Sequence, residues 1–406
     1  MAMSFVAIAC MRFLSSSTII DALSAIEVLR DLPSGRVRPA ARLEECMVAG
    51  WSAFGNPIRV VAPIPCRRSW PARHRAATLA AHARSLIVTD RAHVLLWTDS
   101  AAAYLDAVAS AGLSDRVVID ALARKDRPSP EQLARTVAMM APAVPAGLLP
   151  EMPKLRWVQA MSAGVEGWLA LPDLPPGLVL TCARGTHRES MPENIIGALF
   201  YVSKPYAMAV ENQKRRAWVG TVAQPLTGKT LGILGLGAIG QEVARIAAAL
   251  GMRVIGTRRR PAPMAHVAEI LPPDHTDTVL AQSDILLLLL PATPATENLI
   301  DARSLGLMKP SAWLLNFGRG HLINDNDLIA AVRQRKIAGA MLDVFRQEPL
   351  PADHPFWTTE GIIVLPHIGG PHPQRDKIVA RLFVDNLDRF LRGAPLKEVV
   401  DRDAGY

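Results

Sequence analysis

The turn at residues 235–240 reads G-x-G-x-x-G, follows the apolar run TLGIL and opens a helical pattern. The first glycine permits a tight turn off a strand, the second lets the backbone approach a pyrophosphate, and the third lets the helix pack closely on the strand. The free N–H groups at the helix N-terminus bind phosphate oxygens. This context favours a dinucleotide site over an ordinary strand–helix turn. The residues assigned to the cofactor here are Gly235, Gly237, Ala238, Ile239 and Gly240.

Three consecutive arginines follow the second strand of this unit, in the stretch VIGTRRRP. Arg258 lies where an acid, roughly 20 residues past the glycines, would accept a hydrogen bond from the ribose 2′-hydroxyl of NAD. A guanidinium cannot accept that bond, but it can grip a 2′-phosphate bidentately. We therefore expect NADP(H) to be preferred and NAD(H) to remain possible, with Arg259 and the Thr257 hydroxyl assisting. The alternative is a solvated basic loop.

Strand-like and helical patterns alternate from residue 93 onward. Short apolar runs such as HVLLWTD, RVVID and LRWVQAMSAG predict strands, and DILLLLLP, AWLLNFGRG, AGAMLDVF and IIVLPHIGG continue the series after the glycine turn. A long helical stretch covers 191–218, and the last segment forms an amphipathic helix. Such alternation is typical of parallel sheets with helices on their faces, so the predicted fold class is α/β.

Composition and charge argue against several other classes of protein. The net charge of +8 lies mostly in residues 1–90, which hold 11 Arg, no Lys and six acids, and no nucleic-acid-binding motif accompanies it. The longest aliphatic run, ILLLLL, is too short to span a bilayer. We therefore expect no nucleic-acid or membrane partner. The cysteines form no CxxC pair or disulfide framework, which favours a reducing, cytoplasmic location. They are Cys10, Cys46, Cys66 and Cys182.

Residues 1–92 show no regular pattern, since Pro and Arg are scattered through short apolar runs. The first twenty residues faintly resemble a targeting segment. However, Arg12 interrupts their apolar run and acids follow from Asp21 onward. We expect an N-terminal extension that is not part of the catalytic fold, and a targeting segment is the alternative.

Several long motifs, in order along the chain, resemble the D-2-hydroxyacid dehydrogenase family from about residue 93 to the end. They are LRWVQAMSAGVE, the glycine turn, LLLPATPATENLI, MKPSAWLLNFGRG, AGAMLDVFRQEPLPADHPFW and IIVLPHIGG. GAMLDVFRQEPLP and VDRDAGY are most similar to its glyoxylate/hydroxypyruvate reductase branch. The resemblance implies two Rossmann-like domains with the active-site cleft between them. The substrate domain would be 93–190, completed by a C-terminal helix at 372–406, and the NAD(P)-binding domain would be 191–371.

The resemblance places the family's catalytic Arg, carboxylate and His on Arg319, Glu348 and His367. Each of these residues lies just past an apolar strand-like run, where open α/β sheets build their sites. Histidine suits proton transfer to a ketone oxygen because it titrates near neutral pH. The carboxylate would favour the imidazolium and fix the tautomer. The guanidinium would bind the substrate carboxylate and polarise the ketone.

The same resemblance assigns the rest of the site. The turn at 162–165 would bind the substrate carboxylate through backbone amides, and Asp343 would contact the nicotinamide carboxamide. The segments around 317 and 369 line the nicotinamide side of the cleft. They depart from the family pattern at Phe317-Gly318, at Leu365 and at Gly369-Gly370, which would alter substrate shape or loop mobility. The substrate residues are Ser162, Ala163, Gly164, Arg319 and His367, and the further cofactor residues are Pro291, Thr296, Phe317, Gly318, Asp343 and Gly369.

The sequence therefore predicts NADPH-dependent reduction of a small 2-keto acid, such as glyoxylate or hydroxypyruvate, to the D-2-hydroxy acid. The helical stretch 191–218 resembles the family's dimer-forming region, which implies a homodimer. Two alternatives stay open: an NAD-dependent dehydrogenase for a bulkier 2-keto acid, and a non-catalytic dinucleotide-sensing protein. A sensor has no need for three catalytic residues together. No metal is expected, because neither His367 with His372 nor His354 with Glu360 has the spacing of a recognised ligand set.

Overall fold

The computed structural model of the chain describes residues 91–405. The predicted N-terminal extension, apart from its last two residues, lies outside this range, as do Cys10, Cys46 and Cys66. Cys182 is buried and free. Within the described range, no helix combines the length and the apolar character needed to cross a bilayer.

The first sheet has five parallel strands in the order β2-β1-β3-β4-β5. Every residue of β3 and β4 is buried, as expected for parallel strands covered on both faces. The strands are β1 (Ala92–Trp97), β2 (Val117–Leu122), β3 (Ala138–Ala141), β4 (Trp157–Ala160) and β5 (Val179–Thr181). The helices between them are α1 (Ala101–Ser110), α2 (Pro130–Arg135) and α3 (Glu166–Leu169).

The second sheet has seven parallel strands in the order β12-β11-β10-β9-β6-β7-β8. The order reverses between β6 and β9, and open α/β sheets bind ligands at the carboxyl ends of the strands beside such a reversal. The strands are β6 (Thr230–Leu234), β7 (Arg253–Thr257), β8 (Glu269–Leu271), β9 (Ile285–Leu288), β10 (Trp313–Asn316), β11 (Gly339–Leu342) and β12 (Ile362–Val364). The helices that precede or connect them are α4 (Ser190–Ser203), α5 (Tyr206–Lys214), α6 (Ala238–Ala249), α7 (Thr276–Gln282), α8 (Ala302–Leu307) and α9 (Asp325–Arg333).

The last helix, α10 (Arg375–Leu391), packs on the first sheet although it follows the second sheet in sequence. Phe383 stacks on Trp157 with ring centroids 5.7 Å apart, and Phe390 lies 5.4 Å from the same ring. Burial of each phenylalanine contributes about 1.5–3 kcal/mol to stability. The chain therefore crosses back, and its C-terminal part completes the core of the first sheet.

The helical stretch predicted over 191–218 is two helices rather than one. Pro205 has no N–H to donate and disfavours helical geometry at the residue before it. Lys204 accordingly has extended dihedral angles, φ −114° and ψ 148°, and it ends α4. Helix α5 then starts at Tyr206 and ends at Lys214.

The C-terminal helix predicted over 372–406 is also shorter, because α10 ends at Leu391 and Gly393 follows with a positive φ. The residues after it run antiparallel to the edge strand β5. Val399 pairs with Thr181, and the Val400 N–H donates to a β5 carbonyl at 2.9 Å. This segment therefore covers an edge that would otherwise present unpaired backbone groups.

Candidate functional site

The glycine turn lies between β6 and α6, at the reversal of strand order. Gly235 has a φ of +107°, and a Cβ there would lie 3.0 Å from the Leu289 carbonyl group. A Cβ on Gly240 would lie 2.8 Å from the Gly235 carbonyl oxygen, so α6 starts in contact with the turn. At Gly237, by contrast, a Cβ would meet no heavy atom within 4 Å among the described residues. Two tight glycines and one open one fit a dinucleotide whose pyrophosphate approaches the backbone.

The end of β7 lies directly beside this turn. The Leu236 N–H donates to the Thr257 carbonyl at 3.0 Å, and the Arg258 N–H donates to the Leu271 carbonyl of β8 at 2.9 Å. The Thr257 side chain is buried, whereas Arg258 and the two arginines after it are exposed. An exposed guanidinium thus starts from a backbone fixed next to the glycine turn, where a ribose 2′-substituent is expected.

The three predicted catalytic residues follow adjacent strands of the second sheet. β10, β11 and β12 are neighbours, and Arg319, Glu348 and His367 lie just beyond their carboxyl ends. His367 Nδ1 is 2.6 Å from one Glu348 carboxylate oxygen, and the other oxygen accepts the Phe345 N–H at 2.9 Å. The carboxylate is thereby anchored while it holds the imidazole, and no hydrogen bond within residues 91–405 involves the second ring nitrogen of His367.

Asp343 holds the loop that carries His367. Its two carboxylate oxygens accept the N–H groups of Ile368 at 2.8 Å and Gly369 at 2.9 Å. Burial raises the pKa of Asp343, and these two hydrogen bonds oppose that shift. His367 itself has a positive φ of 52°, which is uncommon for a residue with a side chain. The contact from Asp343 to a nicotinamide carboxamide stays a prediction; each carboxylate oxygen accepts one backbone amide and keeps a further lone pair for a donor.

The side chain of Asn316 fixes the loop that carries Arg319. The Asn316 side chain accepts the Gly318 N–H at 3.0 Å and donates to the Arg319 carbonyl at 2.9 Å. The Arg319 guanidinium donates from Nη1 to the Gly318 carbonyl at 2.7 Å and from Nε to a Glu166 oxygen at 2.8 Å. The arginine is therefore held at both its backbone and its side chain.

The predicted substrate turn meets Arg319 although the two come from different sheets. A Cβ on Gly164 would lie 1.8 Å from Arg319 Nη2, so only a glycine lets the guanidinium lie this close. Two carbonyls of the turn point away from the cleft side: the Ser162 carbonyl accepts the Ala183 N–H at 2.9 Å, and the Gly164 carbonyl accepts the Ser162 hydroxyl at 2.6 Å. Because C=O and N–H of a trans peptide point in opposite directions, the N–H groups that share these two peptides, those of Ala163 and Val165, point the other way, and within residues 91–405 neither donates a backbone hydrogen bond.

The remaining predicted cofactor residues gather at the ends of β9 and β10. The Thr296 hydroxyl donates to the Pro291 carbonyl at 2.7 Å. Phe317 is buried, and a Cβ on Gly369 would lie 2.8 Å from its ring. Two of the departures from the family pattern are therefore in contact, because a side chain at position 369 would meet the Phe317 ring as well as an Asp343 carboxylate oxygen at 2.6 Å. A Cβ on Gly318 would likewise lie 2.8 Å from the carbonyl oxygen of Leu290, in the segment that follows β9.

Three further residues near the site were not predicted. Glu166 contacts Arg319, as described above. Arg375, in the first turn of α10, donates to the Met161 carbonyl immediately before the substrate turn. His187 lies against the Gly370 backbone, and burial, followed by the nearby Arg375 and His372, lowers its pKa. Glu166 is part of the motif LRWVQAMSAGVE and could have been found there, whereas Arg375 and His187 lie outside the motifs that carry the resemblance.

The fold and this geometry define a dinucleotide-binding oxidoreductase. The family described as D-isomer specific 2-hydroxyacid dehydrogenase, NAD binding domain, matches residues 196–369. The chain is 31% identical over 288 residues to the glyoxylate/hydroxypyruvate reductase B of Shigella boydii, which covers 67% of this chain and 89% of that protein. The chain therefore belongs to the D-isomer-specific 2-hydroxyacid dehydrogenase family, and the family predicted from its motifs is confirmed.

Solved structures of the same family share the fold. A D-isomer specific 2-hydroxyacid dehydrogenase family protein from Aeromonas salmonicida has a TM-score of 0.71 and 34% identity, and the match covers 77% of this chain and all of that one. An NADPH-dependent glyoxylate/hydroxypyruvate reductase from Sinorhizobium meliloti, in complex with NADP and sulfate, has a TM-score of 0.69 and 26% identity over 78% of this chain and all of that one. The predicted fold class, two parallel-sheet α/β domains, is confirmed.

Proposed function

We propose that the protein reduces a small 2-keto acid, such as glyoxylate or hydroxypyruvate, to the D-2-hydroxy acid with NADPH. The observation that carries this proposal is the meeting of Arg319 with the substrate turn at Gly164. It supplies a guanidinium and backbone amides for one carboxylate, beside strand ends that hold the His367–Glu348 pair. The named reductases of Shigella boydii and Sinorhizobium meliloti support the substrate class.

In this reaction, separate residues of the chain would bind the substrate, supply the proton and orient the proton donor. NADPH, when bound, supplies the hydride that adds to the ketone carbon. Arg319 and the amides around Ala163 orient the keto acid through its carboxylate, and the guanidinium polarises the ketone. His367 donates the proton that the ketone oxygen requires, from the ring nitrogen opposite Glu348. Glu348 keeps the imidazole in one orientation through its contact with Nδ1.

Loss of NADPH absorbance on addition of glyoxylate or hydroxypyruvate tests the proposal directly. Arg319→Ala should lower kcat/KM by about 10²–10³-fold, because a preorganised donor to the developing charge is lost. Arg303→Ala is the matched control, since Arg303 pairs with Asp277 on the surface and should retain wild-type rates. Wild-type protein that turns over none of a panel of small and bulky 2-keto acids would instead support the dinucleotide-sensing alternative.

We also propose that Arg258 selects NADPH over NADH. The support is its exposure beside the glycine turn and the NADP-bound relative from Sinorhizobium meliloti. Arg258→Asp should weaken NADPH binding by about 10- to 100-fold, the worth of a hydrogen bond to a charged group, and change NADH binding far less. Fluorescence titration with both cofactors measures this. Arg260→Asp makes the same change in charge two residues away, and equal losses in both variants would leave only a solvated basic loop.

A homodimer is the assembly that we propose. Helix α5 and the segment after it expose large apolar side chains, and contiguous exposed apolar surface marks protein–protein contacts. These side chains are Tyr206, Met208, Val210, Trp218, Val219 and Val222. We propose that a second copy of the chain covers this surface, because the stretch 191–218 resembles the family's dimer-forming region.

The homodimer predicts twice the chain mass in sedimentation equilibrium. Val210→Glu should shift the protein toward monomer, because a charge buried in an interface without a partner is costly. Leu307→Glu changes an exposed leucine on α8 and should leave the dimer intact. A monomeric wild-type protein at micromolar concentration would contradict the proposal.

A further inference from the structure

We propose that Glu166 is the positioning residue for Arg319, and that it fixes which edge of the guanidinium faces the substrate. The proposal rests on the proposed function, since it concerns how the same arginine binds a 2-keto acid. Glu166 opens the short helix α3, directly after the substrate turn. Arg319 follows β10 of the other sheet. The ion pair between them therefore joins the two halves of the site at the place where the substrate carboxylate binds.

The hydrogen bonds of Arg319 divide its five N–H groups into two sets. Nε–H donates to Glu166 at 2.8 Å, and one Nη1–H donates to the Gly318 carbonyl at 2.7 Å. Within residues 91–405, these bonds leave Nη2 and the second Nη1–H for a ligand. Nη2 is the nitrogen that lies against Gly164, 1.8 Å from the position that a Cβ would take. The edge of the guanidinium that carries Nη2 thus faces the substrate turn, whose amides are predicted to bind the substrate carboxylate.

The exposure of this ion pair argues against a role in stability alone. Both side chains are about one-third exposed, at 32% for Arg319 and 36% for Glu166, and ion pairs this exposed add little to stability. Its effect is instead geometric. An arginine side chain has many rotamers, and holding Nε removes most of them before the substrate arrives, so less entropy is lost on binding.

Glu166 also places a negative charge near the incoming anion, which opposes binding. The two effects are separated by Glu166→Gln and Glu166→Ala. Glutamine keeps an oxygen that accepts the Nε–H but loses the charge, whereas alanine loses both. If positioning dominates, the two variants differ; if charge repulsion dominates, both bind anions more tightly than the wild type.

The test measures steady-state constants for glyoxylate and hydroxypyruvate, and the affinity for oxalate, a non-reacting dicarboxylate, by calorimetry with NADPH present. Glu166→Ala should raise KM and the oxalate Kd about tenfold, the effect of freeing one side chain, and lower kcat severalfold. Glu166→Gln should stay within about threefold of the wild type. Glu151→Ala is the control, because Glu151 forms a more exposed pair with Arg127 at 2.7 Å, away from the substrate turn, and its constants should not change.

Several outcomes overturn the role of Glu166: wild-type oxalate affinity in Glu166→Ala, equal losses in the alanine and glutamine variants, tighter binding in both, or no oxalate binding by the wild type. Melting temperature and NADPH affinity show whether each variant is folded. The proposed function fails separately, if the wild type and Glu166→Gln bind oxalate, Glu166→Ala binds it weakly, and no variant reduces a 2-keto acid.

Discussion

His367→Asn is expected to lower kcat by about 10²–10⁴-fold, the usual contribution of a positioned acid–base group, and to leave NADPH affinity unchanged. Asparagine has a similar size near the backbone and can form hydrogen bonds, but it cannot transfer a proton. The ring of His367 lies 2.6 Å from Glu348 and reaches no part of the glycine turn in the hydrogen bonds of residues 91–405. Cofactor binding should therefore be separable from turnover.

Single-turnover and steady-state rates with glyoxylate measure this loss, and NADPH fluorescence titration measures cofactor affinity. Glu348→Gln should give a smaller loss of about tenfold, because glutamine keeps a side chain in contact with the ring and removes only the negative charge. His275→Asn changes an exposed histidine and should have no effect on kcat. A near-normal kcat for His367→Asn would mean that another group supplies the proton.

The positions of the three proposed catalytic residues could be predicted because each residue follows a short apolar run. Residues after β10, β11 and β12 must come together once those strands are neighbours in one parallel sheet. The sequence does not state that they are neighbours; the family motifs supplied that order. The glycine turn was predictable from its own spacing, and the open space at Gly237 agrees with it.

Features that depend on contacts between distant segments could not be predicted. The pairing of Phe317 with Gly369 joins two loops that are far apart in sequence, and each looked like a separate departure. The tail that pairs with β5 has a short apolar run, which fits a helix as well as an edge strand. Arg375 reaches the Met161 carbonyl only because α10 crosses back to the first sheet.

Gly320→Ala is expected to lower both catalysis and stability, because the loops of Arg319 and Glu348 touch at this glycine. A Cβ on Gly320 would lie 1.9 Å from the Phe345 carbonyl carbon and 2.3 Å from the next backbone nitrogen. These are backbone atoms, so the clash cannot be relieved by rotating a side chain. One of the two loops must move, and each carries a residue proposed to be catalytic within four positions of the contact.

The stability loss should be at least about 1–3 kcal/mol, the cost of overpacking a close contact, and a displacement of about 1 Å should reduce kcat/KM by about 10²-fold. Thermal melting and steady-state rates measure the two effects. Gly306→Ala is the matched control, because a Cβ there meets no described atom within 4 Å and lies inside α8; it should be neutral or slightly stabilising. Wild-type stability and rates in Gly320→Ala would show that the two loops are not in contact. Loss of stability with normal kcat/KM would show that their separation does not position Arg319 and Glu348, and that the hydrogen bonds of Asn316 and of the Glu348 carboxylate suffice to hold the two loops.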